Sequence, residues 1–94
     1  MNMYNWIIGI CNTGADGVVI YRFRGSIDEM KEKLLSLINK DRNEDSENWD
    51  YGCESIDDIR AEDNGLGYEL YGYGCYYDYH IDYTAKEFAH VEMI

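Results

Sequence analysis

Between Gly67 and Thr84 the chain reads GYELYGYGCYYDYHIDYT, and seven of its ten tyrosines fall there. The second half of this stretch alternates strictly. Tyr77, Tyr79, Ile81 and Tyr83 share one side, and Asp78, His80, Asp82 and Thr84 share the other. A period of two is that of a half-buried strand, so the stretch is expected to be a hairpin. Tyr71 and Tyr73 fall on its first arm, with a turn near Gly74 and Cys75. Each buried phenol needs a hydrogen-bond partner, and ten tyrosines exceed what one sheet face of a 94-residue chain readily buries. Part of this aromatic surface is therefore expected to face outward, as a platform for another protein or for a homodimer through the sheet.

Upstream, Tyr4 to Ile10 and Val18 to Arg24 are apolar or alternating runs joined by CNTGADG, which predicts another hairpin. In its second run Val18, Ile20 and Arg22 oppose Val19, Tyr21 and Phe23, and either set can face inward. Ser26 followed by Glu29 is a capping box, and Asp28 suits the positive end of a helix. Ile27, Met30, Leu34, Leu37 and Ile38 then recur at spacings of three and four, while Lys31, Glu32, Lys33 and Lys40 lie off that stripe. These signals predict an amphipathic helix over 27–40. From Asp41 to Asn64 the periodicity lapses into a long acidic loop, with Ser55 and Asp58 signalling a short helix from Ile56 to Arg60. Phe88 to Ile94 alternates weakly and is expected to add a last strand.

The sum is one α+β domain over 1–94: a mainly antiparallel sheet of four or five strands with one principal helix packed on one face, in the order β-β-α, acidic loop with short helix, β-β and a further β. Three cysteines without a C-x-x-C pair argue for reduced thiols rather than a disulfide scaffold or a zinc site. The opening MNMYNWIIGI has no basic segment and too short an apolar run for a signal peptide or a membrane span, so a cytoplasmic location is expected.

Charge separates the function classes most sharply. The chain has 19 acidic and 8 basic residues, a net −11. Direct binding to nucleic acid or to an anionic membrane is disfavoured, which leaves a basic partner, a divalent cation or simple solubility as the roles of the charge. Residues 41 to 63 hold ten acids and two bases, a local balance of −8. A long loop in a small domain is usually functional, and Trp49 and Tyr51 within it are suitable interface anchors. The partner-binding set expected from this reasoning is Asp41, Glu44, Asp45, Glu47, Trp49, Asp50, Tyr51, Glu54, Asp57, Asp58, Glu62 and Asp63, with Tyr73, Tyr76 and Tyr77 from the hairpin.

Other motifs are weaker. Asp41, Asn43 and Asp45 open like an EF-hand calcium loop, but Ser46 stands where the turn glycine belongs and Gly52 where the bidentate glutamate belongs. Gly72 and Gly74 lack the further glycine, lysine and helix of a phosphate loop. Asp78, His80 and Asp82 line one strand face, and with Cys75 they define an alternative reading, a small metal- or thiol-dependent enzyme. A solvated polar face explains the same residues without chemistry. No cofactor is implied.

In size and charge the chain is similar to the inhibitors that phages and mobile elements make against restriction or CRISPR nucleases, some of which mimic nucleic acid. That resemblance implies a non-enzymatic regulator that docks on the basic surface of a nucleic-acid-handling protein. A structural homo-oligomer is a third reading.

Overall fold

The computed structural model describes residues 2–88 apart from 15, 16, 64, 66 and 78. It is an α+β domain: one helix, α1 (Ile27–Glu44), lies on an antiparallel sheet of six strands. The strands are β1 (Tyr4–Asn12), β2 (Val18–Gly25), β3 (Trp49–Gly52), β4 (Arg60–Asp63), β5 (Tyr68–Tyr76) and β6 (Tyr79–Phe88). Their order is β2-β1-β6-β5-β3, and β4 pairs with the other half of the same side of β5.

The hairpin of β1 and β2 and the helix start follow the sequence pattern. The Ser26 hydroxyl accepts from the Glu29 amide at 3.1 Å, and the Glu29 carboxylate accepts from the Ser26 amide at 3.0 Å. These reciprocal bonds occupy two donors that the first turn would otherwise leave bare. Met30, Leu34 and Ile38, four residues apart, are fully buried against Trp6, Ile8, Leu70, Ile81, Tyr83 and Ala85. Burial of each such aliphatic side chain contributes about 1.5–3 kcal/mol. The Trp6 indole N–H donates to the Gly25 carbonyl at 3.0 Å, so the largest core side chain also leaves no polar atom stranded.

Alternation then assigns the faces. In β6, Ile81, Tyr83 and Ala85 point to the helix, and His80, Asp82 and Thr84 point to the uncovered side, as the period of two predicts. In β2, Phe23 lies opposite Trp6 on the helix side, so Val19 and Tyr21 face that way and Val18, Ile20, Arg22 and Arg24 face the uncovered side.

The expectations for the acidic segment and for the hairpin turn are corrected. The sheet has six strands rather than four or five, because the segment expected to be a long loop is organised: α1 runs on to Glu44, β3 and β4 form, and a 3-10 turn at Ile56–Asp58 links them. The outer backbone groups of β5 need partners, and this segment supplies them. The expected short helix is only that 3-10 turn. The hairpin turn does not fall at Gly74 and Cys75, which lie inside β5, but at Tyr77, whose backbone is left-handed (φ 50). The two glycines serve closeness rather than turning. A Cβ on Gly72 would meet Ile38 Cδ1 at 2.9 Å, and one on Gly74 would collide with the Trp49 indole. The further strand expected over 88–94 has only Phe88 within the described residues, where it ends β6.

Candidate functional site

The acidic segment is the edge of the sheet. From the end of α1 it runs along β3, the 3-10 turn and β4, all against β5. Glu44, Glu47, Asp50, Glu54, Asp57, Asp58, Glu62 and Asp63 are all solvent-exposed along it. Cations meet few of them. Arg60 pairs with Glu62 at 3.2 Å while its guanidinium lies 4.7 Å above the Tyr71 ring, and Lys40 reaches Glu44 at 4.0 Å. Among the described residues no lysine or arginine pairs with Glu47, Asp50, Glu54, Asp57 or Asp63.

This edge is shaped rather than loose. The Asp58 carboxylate accepts from the Glu54 and Ser55 amides at 2.9 and 3.1 Å, and those two bonds hold its pKa below the usual carboxylate range. The Asn48 amide donates to Asp45 at 2.7 Å, closing the turn after α1. Tyr51 and Tyr73 stand exposed side by side with ring centroids 6.5 Å apart. The Tyr51 phenol sits against the Cys75 thiol, and that contact, reinforced by desolvation and by Asp50, keeps its proton on.

At the end of the edge lies a cavity of about 440 Å³, where the close of α1 meets the end of β1 and the start of β2. Asp41, Glu44 and Asp45 line it together with Trp49 and Tyr76, and Ile10, Asn12, Val18, Val19 and Ile81 contribute apolar and amide wall. Tyr76 is steadied by Asn12, whose amide donates to the phenol oxygen at 2.8 Å. Asp41 accepts from the Tyr83 hydroxyl at 2.6 Å, and the burial of that hydroxyl, together with this bond, pushes the Tyr83 pKa far up. Carboxylates and aromatic rings around one cavity favour a cationic side chain.

The residues expected at the interface thus divide. Asp41, Glu44, Asp45, Trp49 and Tyr76 converge on the cavity, and Glu47, Asp50, Tyr51, Glu54, Asp57, Asp58, Glu62, Asp63 and Tyr73 follow the edge. Tyr77 is exposed in the hairpin turn, with its ring 6.0 Å from that of Tyr76. Asp41, Trp49 and Tyr76 are half-buried and also support the core. The cavity walls from β1, β2 and β6 had no charge or motif to mark them.

The uncovered sheet face carries the alternative catalytic set. Cys75 lies opposite His80 across the β5–β6 ladder, and His80 Nε2 is 2.7 Å from Asp82 Oδ1. The Cys75 thiol is buried and points toward Asp50 at 4.0 Å, with the Tyr51 phenol beside it. Asp78 lies outside the described residues. Asp41 and Asn43 belong to α1, whose helical backbone cannot wrap a calcium ion as an EF-hand loop does. Among the described residues no three His, Cys, Asp or Glu side chains converge to hold a metal ion, and no helix is long and apolar enough to cross a membrane.

Fold and site together define a single-helix α+β domain with an acidic, aromatic sheet edge. No family model, no curated protein and no solved structure matches the chain.

Proposed function

We propose that this protein is a non-enzymatic binding module whose acidic edge docks on a basic surface of a nucleic-acid-handling protein. The observation that carries the reading is the row of exposed carboxylates on the β3–β4 edge, most of them without a cationic partner among the described residues. Unpaired like charges on a fixed backbone repel one another, a cost that a basic partner removes. A row of carboxylates carries the charge sign of a phosphate backbone, so the natural target is a groove of lysine and arginine. The cavity adds an anchor: a partner's arginine or lysine enters between Trp49 and Tyr76 toward Asp41, Glu44 and Asp45, while Tyr51 and Tyr73 offer an aromatic contact on the other face of the same edge. Inhibition of a nuclease by occupying its nucleic-acid groove, as in the phage and mobile-element inhibitors this chain resembles in size and charge, is the corresponding role.

The test is affinity capture at low and high salt, followed by titration of a captured partner with the wild type and with a triple variant, Glu54→Gln, Asp57→Asn and Asp63→Asn. Captured partners should be basic nucleic-acid-binding proteins. Their affinity should fall steeply with salt, since charges are screened within about 8 Å at physiological ionic strength, and the triple variant should bind at least about tenfold more weakly. Partners without a basic surface, or equal binding by the triple variant, would overturn the reading.

A further inference from the structure

The opposite edge of the sheet has the reverse character. β2 is the terminal strand there, and four consecutive residues on it are exposed: Val18 (57%), Val19 (51%), Ile20 (68%) and Tyr21 (42%). Val19 and Tyr21 lie on the helix side and Val18 and Ile20 on the uncovered side, so both flanks of the strand are apolar. A regular strand with apolar flanks and a free row of backbone donors and acceptors is what edge protection normally removes with charges, bulges or prolines. β2 has no proline, no acid and a continuous register with β1 from Tyr4–Gly25 to Cys11–Val18.

We propose that β2 pairs edge to edge, antiparallel, with β2 of a second copy of the chain, making one sheet continuous through a two-fold dimer. Charge selects this occupant. Val18–Gly25 carries two arginines and no acid in a chain of net −11, so it is the side on which two copies approach with least repulsion. With strands about 4.8 Å apart, nine steps separate the two acidic edges of such a dimer, roughly 40 Å, far beyond the screening length of about 8 Å.

The strand is also self-complementary. Pairing centred on Ile20 sets it against its own copy, puts Val19 opposite the second copy's Tyr21 on the helix side, and places Arg22 opposite the second copy's Val18. The two Arg22 side chains then stand four residues apart along the ladder, roughly 13 Å, so they do not oppose each other. Pairing β2 with the acidic edge of another copy would instead leave a free edge at each end and grow without closing, and the bulged, interrupted β3–β4 edge offers no strand of matching length.

The experiment is sedimentation velocity over a concentration series, with the wild type, Ile20→Lys and Tyr21→Lys. None of these positions lies in the acidic edge or the cavity. The wild type should reach twice the 11.0 kDa chain mass and stop there. Each lysine should weaken association by at least about tenfold, as inserted charge does on natural edges, while circular dichroism stays unchanged. Amide hydrogen exchange on the wild type supplies a readout independent of the variants: β2 amides should slow as concentration rises, and those of β3 and β4 should not. The dimer should persist in about 1 M salt, where screening acts within about 3 Å. A wild type that stays monomeric, a dimer indifferent to both lysines, or a salt-sensitive ladder of larger species would each overturn the proposal.

Discussion

The two edges of this sheet differ in both backbone regularity and side chains. β2 is a regular strand of eight residues with apolar flanks. The other edge is two strands of four residues, with a register shift between Trp49 and Tyr51 and a 3-10 turn between them, and it is lined with carboxylates. Among the described strands neither edge has a further neighbour on its outer side. A bulged, broken and charged edge refuses another strand and offers itself to cations, whereas a smooth apolar one admits a strand. One small sheet can therefore present two surfaces of opposite character, which approach each other only at the cavity, where Val18 and Val19 of β2 share a wall with Asp41 and Trp49.

Trp49→Ala strikes the difference hardest. Trp49 seats on Gly52 and Gly74 and joins β3 to the core, and losing it should cost about 2–4 kcal/mol by the usual cost of large-to-small changes. Partner binding should collapse with it, while wild-type association through β2 survives in the folded fraction. Denaturant titration and sedimentation on the same sample separate the two outcomes, and parallel loss of both would break the independence of the edges. Gly74→Ala tests the same seat by filling it. It should cost about 1–3 kcal/mol from overpacking and raise hydrogen exchange in β3 before β2.

Tyr83→Phe has a smaller effect, at about 1 kcal/mol, because it removes one hydrogen bond and leaves half-buried Asp41 with water as its substitute partner. Its pH signature is sharper. The folded pKa of Tyr83 is raised above its ordinary value of 10.0 by burial and by Asp41, so its stabilisation is complete below pH 10.0 and is lost as pH rises toward the folded value. Thermal melts of the wild type should fall in that alkaline window more steeply than those of Tyr83→Phe, and identical slopes would remove Tyr83 from the account. Ile20→Lys should be the mildest for the fold itself, within about 0.5 kcal/mol, because its side chain is exposed.

Much of this architecture is legible in the sequence. The capping box at Ser26 and Glu29, the stripe of Met30, Leu34 and Ile38, and the alternation of Ile81 and Tyr83 against His80 and Asp82 each state a local geometry that tertiary packing kept. The acidic segment was harder. Its strands are only four residues long and obtain their ladder from β5, a partner distant in sequence, so no local period announces them. Gly74 suggested a turn because glycine marks both turns and close approaches, and only the position of Trp49 tells the two apart. The acid cluster itself was visible as a charge excess. Its division into a cavity and an edge was not, because Ile10, Asn12 and Val19 join Asp41 and Trp49 only once β1 and β2 lie beside the end of α1.

The strand order also dictates when the molecule can become itself. β1 is made early but sits in the middle of the sheet, waiting for β6 to bind from Asn12 opposite Ile81 to Asn5 opposite Phe88. During synthesis the first hairpin and α1 therefore leave the ribosome with their central seam open, and the bonds that close it span nearly the whole described chain. Until that seam shuts, the nascent protein exposes a second sticky edge, on β1, that the finished one lacks.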